Sequence, residues 1–398
     1  MKPVYIIDGV RTAIGKYGGT LSSIRPDDLL ATTLKALLVR NPTINVDQIE
    51  EVITGAANQS GEDNRNVARM ALLLAGLPIT VAAVTVNRLC ASGMQSIMDA
   101  ARAINNGDGT LYIASGVESM SRAPYVMGKA AEPYNRTQQM YDTTMGWRFV
   151  NPALSALYHP YTMGETAENV AQQWNITRAE QDEYAHQSQV KYAAAHLANK
   201  YANELIAVPV ILTSKEIVQF VKDEHPRLSS VEKLATLQPA FVKNGTVTAG
   251  NSSGINDGAA AMLLANDAIV TQLQLQPMAS IIGMAVCGVA PSIMGIGPVT
   301  ATHKALQRAG LTIADIGIWE INEAFASQSI ACIRELQIDP ILVNVTGGAI
   351  ALGHPLGCSG TRISITLINQ MQQQQIKYGV ATMCVGVGQG AAVVYELL

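Results

Sequence analysis

Aromatic bulk and charge are both scarce in this chain. Of its 398 residues only four are Phe and three Trp, and charged residues make up 15%. So little charge beside 48% apolar residues excludes long disorder and leaves room for two or three domains with sizeable cores. With few large rings to fill them, such cores must close through small side chains, a use for which the 33 glycines are suited. A basic surplus is lacking too. The 27 Lys and Arg stand against 31 Asp and Glu, a net charge of −4, which argues against general nucleic-acid binding. An anionic small ligand is not excluded, because it needs only a few local cations.

No apolar run approaches the roughly 20 residues of a membrane span. The first residues enter a strand directly (Val4-Tyr5-Ile6-Ile7-Asp8), without the basic and apolar regions of a signal peptide. Five cysteines, an odd number at wide spacing, make no disulfide framework. No Cys-x-x-Cys or His-x-x-x-His pair points to zinc. The expectation is a reduced, cytoplasmic protein with no metal, no permanently bound cofactor, and neither membrane nor nucleic acid as partner.

What is present is alternation. Val52–Gly55, Ala83–Val86 and Thr110–Gly116 read as strands, and Asn66–Ala75 and Ser92–Ile104 as helices between them. The last part repeats the plan, with helices Ala301–Ala309 and Thr361–Gln372 among strands Ile316–Glu320, Tyr378–Val385 and Ala391–Leu398. In each half a reactive loop opens a helix and a strand ending near glycine follows, so the chain reads as an internal duplication of α/β layers. Between the halves lies a lobe of different character, mostly irregular and helical, with helices Ala167–Trp174 and Arg178–Tyr201 and the loop Asp223-Glu224-His225-Pro226-Arg227. The division expected is 1–120 for the first half, 121–254 for an inserted loop domain, 255–275 returning to the first half, and 276–398 for the second. A long insertion over a sheet is a natural place for ligand binding.

Three distant segments carry reactive side chains. Asn87-Arg88-Leu89-Cys90-Ala91-Ser92-Gly93 offers a thiol at a strand-to-helix turn, where the helix N-terminus and a nearby imidazole would favour thiolate. Gly347-Gly348-Ala349-Ile350-Ala351-Leu352-Gly353-His354-Pro355 offers an imidazole where backbone can approach a substrate closely. Cys384-Val385-Gly386-Val387-Gly388 offers a second thiol. Its glycines do not make a dinucleotide-binding loop, because a β-branched stretch follows instead of a helix. Two thiols and one imidazole suffice to form an acyl-enzyme and to move a proton next to a carbonyl. The plainer alternative for either thiol alone is core packing, and that is the reading for Cys287, Cys332 and Cys358. Asn322, heading Asn-Glu-Ala-Phe-Ala, is either a helix N-cap or an amide that orients a water toward a developing oxyanion. The other five histidines sit in polar contexts and read as surface residues.

Taken in order along the whole chain, these motifs, together with Gly245-Thr246-Val247-Thr248-Ala249-Gly250-Asn251-Ser252-Ser253-Gly254-Ile255-Asn256-Asp257-Gly258, resemble the thiolases. The resemblance implies a fold of two similar βαβαβαββ halves in a five-layer αβαβα core with an inserted loop domain. It implies that Cys90 is the acylated nucleophile, that His354 activates it, and that Cys384 exchanges the substrate's α-proton. It implies that His354 with an Asn322-held water binds one thioester oxygen, and that the N–H groups of Cys90 and Gly386 bind the other. Coenzyme A, a co-substrate, would lie against Met163, Arg227, Phe241, Ala249 and Ser253, with Leu154 a weaker member. The resemblance implies a homodimer or a homotetramer, since dimers, often paired into tetramers through the loop domain, are the family habit. Within the family, Asn58–Arg69, Gly116–Pro124, Asp142–Pro152 and Glu224–Arg227 look most like thiolases acting on 3-oxoadipyl-CoA in aromatic degradation. The implied products are succinyl-CoA and acetyl-CoA. A buried tail carboxylate would need a cation, and Arg65 and Arg148 are the candidates. The alternatives keep the chemistry with an acetoacetyl or fatty 3-oxoacyl tail, or abandon it for a thiolase-shaped acyl-CoA or lipid carrier, which has no need of Cys90, His354, Asn322 and Cys384 together. Two positions depart from the family pattern: Thr162 replaces a common histidine, and Thr346 a common asparagine.

Overall fold

The structure is a computed structural model and describes residues 3–211 and 216–398. The first half supplies β1 (Tyr5–Thr12), α1 (Pro26–Arg40), β2 (Glu51–Gly55), α2 (Val67–Ala75), β3 (Ala82–Val86), α3 (Ser92–Asn106), β4 (Leu111–Ser119) and, after the insertion, β5 (Asn256–Ala265). The insertion carries α4 (Met163–Gln173) and α5 (Arg178–Leu197). The second half supplies β6 (Ala279–Gly288), α6 (Gly297–Ala309), β7 (Ile318–Ile321), α7 (Ala326–Leu336), α8 (Leu356–Gln374), β8 (Tyr378–Val385) and β9 (Gln389–Leu397).

The duplication is visible in the strand order. Outward from β1 the sheet runs β1-β5-β4-β2-β3, and outward from β6 it runs β6-β9-β8-β7. A parallel bridge from Trp319 to Val343 stands beyond β7, where β3 stands beyond β2. The pairing senses agree as well: β2–β4 and β7–β8 are parallel, while β4–β5 and β8–β9 are antiparallel. A short β1–β6 pairing joins the two halves. By this correspondence the loop from β3 to α3, which holds Cys90, matches the loop from Val343 to α8, which holds His354.

The layers follow from burial. Strands β4 and β5 are buried along their whole length, as expected of central strands covered on both faces. Helices α3 and α8 pack on each other between the two sheets, α1 and α2 cover the first sheet outside, and α6 and α7 cover the second, giving the expected αβαβα order. The central contact is backbone against backbone. A Cβ on Gly357 would come 2.5 Å from the Val117 carbonyl oxygen and 2.7 Å from Ala56 Cα. This is the small-residue packing that the scarcity of aromatics required.

The insertion is less irregular than its sequence reads. Tyr125–Met127 pairs with Met140–Asp142, Val208–Ile211 pairs with Ile217–Phe220, and Leu205–Ile206 adds to β1 in parallel. These strands are too short for alternation to announce them. The helices begin where side chains cap them: Thr162 and Thr177 each form a reciprocal capping box, with Glu165 and Glu180. Among the described residues no helix is long and apolar enough to cross a membrane.

Candidate active site

Cys90 sits one residue before the N-cap of α3, on a turn made sharp by Leu89 at φ 47°, unusual for a side chain of this kind. Local hydrogen bonds hold that conformation. Asn87 Oδ1 accepts from Leu89 N–H at 2.8 Å, and Ser92 Oγ accepts from Arg88 N–H at 2.9 Å. Arg88 ties the turn to the other half, donating from Nη1 to Gln389 Oε1 and from Nε to Gln95 Oε1, each at 2.7 Å. The thiol is half-buried, and its own N–H and that of Gly386 point at the sulfur.

His354 follows Gly353, whose φ of 106° only glycine adopts without strain. Its N–H donates to Asn256 Oδ1 at 2.9 Å, while Asn256 Nδ2 donates to the Gly15 carbonyl. Ser359 Oγ donates to the Pro355 carbonyl at 2.9 Å and lies 2.6 Å from His354 Nδ1. That network assigns the proton to Nδ1, so Nε2 keeps its lone pair and accepts from Asn322 Nδ2 at 3.3 Å. Asn322 is therefore not a helix cap; Phe325 holds the N-cap position of α7. Its Oδ1 is buried and has no hydrogen-bond partner among the described residues.

Cys384 is buried near the end of β8, opposite Gly390. The turn Gly386-Val387-Gly388 joins two antiparallel strands, with Val387 at φ 61° and Gly388 at φ 83°. Cys90, His354, Cys384 and Gly386 all line one cavity of about 420 Å³. The spatial convergence that the motifs required is present.

The electrostatics differ from the expectation for Cys90. Burial pushes its thiol up to about 11, with the Gly386 and Cys90 N–H groups pulling against that and Glu118 adding to it. Burial likewise holds His354 down at about 3, helped by the Arg362 cation. Cys384 is raised well above the usual thiol value by burial and then by its neighbour Cys90. At rest all three groups are neutral. Desolvation outweighs the helix terminus, and a neutral imidazole offers no positive charge to stabilise a thiolate.

The remaining candidate residues divide. Met163, Phe241, Ser253 and Arg148 line the reaction cavity. Arg227 and Ala249 line a second cavity of about 280 Å³ with Lys233, and Arg227 Nη2 donates to the Ala249 carbonyl. Leu154 is exposed on the short helix Pro152–Leu157 and lines neither. Arg65 is exposed, in a left-handed conformation before α2, and lines neither. Thr162 lines the reaction cavity as the N-cap of α4, and the Thr346 hydroxyl is buried without a hydrogen-bond partner among the described residues. Four other histidines are exposed or half-buried, but His225 is buried against Gly254, and burial lowers it to about 4.

Two carboxylates went unread in the sequence. Glu118 lines the cavity and accepts from the N–H groups of Ala57, Asn58 and Gly357 at 2.9, 3.1 and 2.8 Å, fastening both halves around the site; burial raises it to about 7. Glu323 accepts from Tyr184, Ser188, Asn344 and the Ile350 N–H, and so locks the His354 loop to α5. Position offered one signal: Glu118 stands next to last in β4, the first-half counterpart of β8, where Cys384 is also next to last.

Comparison with known proteins follows the same lines. Residues 4–268 match the family model described as thiolase, N-terminal domain, and residues 275–397 that of thiolase, C-terminal domain. The chain is 52% identical to a beta-ketoadipyl-CoA thiolase of Acinetobacter baylyi, over 100% of both chains. It is 51% identical to the 3-oxoadipyl-CoA/3-oxo-5,6-dehydrosuberyl-CoA thiolase of Escherichia coli K12, again over 100% of both. Among solved structures, human mitochondrial 3-ketoacyl-CoA thiolase in complex with CoA superposes with a TM-score of 0.92 at 38% identity, covering 100% of this chain and 98% of that one.

Proposed function

The chain belongs to the thiolase family, and from that membership we propose that it cleaves 3-oxoadipyl-CoA with coenzyme A to succinyl-CoA and acetyl-CoA. The observation that carries the chemistry is the meeting of Cys90, Cys384 and His354 around one cavity. The substrate follows from relatives matched over their full length.

In this reading Cys90 attacks the 3-keto carbon as its proton passes to the Nε2 lone pair of His354. The C2–C3 bond then breaks, leaving succinyl on the Cys90 sulfur and the enolate of acetyl-CoA. Cys384, a buried and therefore protonated thiol, protonates the enolate carbon and recovers a proton from the imidazolium. Acetyl-CoA leaves, and a second coenzyme A passes its thiol proton to His354 Nε2 and attacks the succinyl thioester; the bond to the Cys90 sulfur breaks as succinyl-CoA forms, and the imidazolium returns the proton to Cys90. The N–H groups of Cys90 and Gly386 would stabilise one developing oxyanion, and His354 with a water held by Asn322 the other, each lost donor costing about 2.7–4 kcal/mol of barrier. Met163, Phe241 and Ser253 would hold the pantetheine at the reaction cavity, and Arg227 and Ala249 the nucleotide end at the second. The enzyme would work in the cytoplasm as a dimer or tetramer, for which the outer edge of β3, with Val84 exposed, offers one contact surface.

Intact-mass spectrometry after mixing with 3-oxoadipyl-CoA alone tests the proposal. A succinyl adduct mapping to Cys90 is expected, and Cys90→Ser should lose about 10³-fold or more in turnover. Cys384→Ser should still acylate while slowing α-proton exchange of acetyl-CoA by about 10²–10⁴-fold. An adduct on another cysteine, with Cys90 unmodified, would overturn the assignment. A non-catalytic carrier would form no adduct.

A further inference from the structure

We propose that Arg148 reads the terminal carboxylate of the acyl chain and so selects dicarboxylic 3-oxoacyl substrates over neutral ones. The inference rests on the thiolase reading above and names the specificity residue of that same cavity.

Among the described residues, Arg148 is the only Lys or Arg that lines the cavity. Other arginines nearby are engaged. Arg122 donates to Glu62 and to the Ser22 carbonyl, Arg25 to Asp27, and Arg88 to Gln95 and Gln389. Arg148 forms no such ion pair with any described residue, although it is half-buried. The one carboxylate lining the same cavity, Glu118, spends its oxygens on three backbone N–H groups. The neighbours of Arg148 on the same segment are likewise engaged. Thr143 Oγ1 donates to the Pro124 carbonyl at 2.6 Å and accepts from Asn58, and the Thr144 N–H donates to Asp142 Oδ1 at 2.8 Å.

The segment that carries Arg148 is held on both sides. Trp147 Nε1 donates to the Tyr161 carbonyl at 2.9 Å, and the Phe149 ring packs on Tyr141 with centroids 4.9 Å apart. Upstream, Asn58 Nδ2 fastens Thr143. A guanidinium so placed offers a planar fork to a carboxylate. To an alkyl tail it offers only a charge that loses water without compensation, which disfavours fatty chains as much as it favours acidic ones. The fragment left on Cys90 after cleavage is the one that bears the carboxylate, so the same contact serves both half-reactions. Arg65, exposed and outside the lining, has no such access.

The test compares 3-oxoadipyl-CoA with 3-oxohexanoyl-CoA, of equal chain length and without the carboxylate, in wild type, Arg148→Ala and Arg148→Lys. The ratio of kcat/KM for the acidic over the neutral substrate should fall about 10²-fold in Arg148→Ala. Arg148→Lys should recover part of it, as a point charge without the fork. Equal losses on both substrates, or no loss on the acidic one, overturn the role of Arg148. If wild type cleaves 3-oxohexanoyl-CoA or acetoacetyl-CoA but not the acidic substrate, the dicarboxylic selection itself is refuted, and if it cleaves none of the three, the thiolase reading falls with it. Thiolysis of acetoacetyl-CoA, whose tail is too short to reach a carboxylate site, identifies a variant that merely misfolds.

Discussion

A proposed nucleophile that rests as a neutral thiol makes a testable demand on its surroundings. With Cys90 pushed up to about 11 by burial, its thiolate fraction should rise about tenfold per pH unit across the whole range below that value. His354, held at about 3, stays neutral throughout and cannot create a low-pH plateau. Alkylation of Cys90 by iodoacetamide in free enzyme, mapped by peptide mass spectrometry, should therefore climb steadily from pH 7 to 10. A plateau reached below pH 8 would mean a thiolate–imidazolium pair and would sink this account. The proposed reacting residues were legible in the sequence because Cys90, His354 and Cys384 each lie within three residues of a glycine in a short local motif. Their protonation states were not, because those depend on desolvation by parts of the chain far away. Glu118 illustrates the same limit. Its donors lie 60, 61 and 239 residues away, and no local pattern marks a carboxylate that binds them. The structure likewise separates Arg148 from Arg65, which the sequence left equal.

At the scale of elements, the close seat of α8 against α3 sets two effects in opposition at Gly360. Glycine inside a helix is worse than alanine by roughly 0.5–1 kcal/mol, so propensity alone predicts that Gly360→Ala stabilises. A Cβ there would meet the Met94 backbone, coming 2.9 Å from its Cα and 2.7 Å from its Cβ. Backbone cannot yield as a flexible side chain does, and overpacking costs about 1–3 kcal/mol or more. Packing should win: the urea midpoint should fall with the slope unchanged, and a rise would show the contact to be looser than described. The long elements were legible from periodicity to within a residue or two of their ends: the helix read from Asn66 begins at Val67 with Asn66 as its cap, and the one read to Ile104 runs on to Asn106, before the left-handed Gly107. The short strands of the insertion were not. Leu205–Ile206 earns its place by pairing with β1, nearly two hundred residues earlier in the chain.

At the scale of the whole molecule, one buried cation joins all three parts. Arg11 on β1 donates to Glu204 at 2.5 Å and to Asp223 at 2.8 Å, both on the insertion, and Glu204 also accepts from Thr366 and Asn369 on α8. The three charged side chains are almost wholly buried. Replacing Arg11 with Met keeps much of the volume and leaves two carboxylates without their cation, a loss of about 3–5 kcal/mol. The pH dependence of that loss has a definite sign. Burial already raises Glu204 despite Arg11, and without Arg11 no described cation opposes it there except the more distant Arg362. An acid whose folded pKa lies above its unfolded value contributes its full stability below the unfolded pKa and loses it as pH rises through the folded one. The gap between Arg11→Met and wild type should thus be widest near pH 8 and narrow toward pH 5. The buried His225 and His354 act the other way, weakening both proteins as pH falls from 6.5 toward their folded values of about 4 and 3, but equally, so they cancel in the difference. Urea unfolding of both proteins at the two pH values measures this directly. A gap independent of pH would mean that the freed carboxylates find other partners, and that Arg11 is not what fastens the insertion to the core.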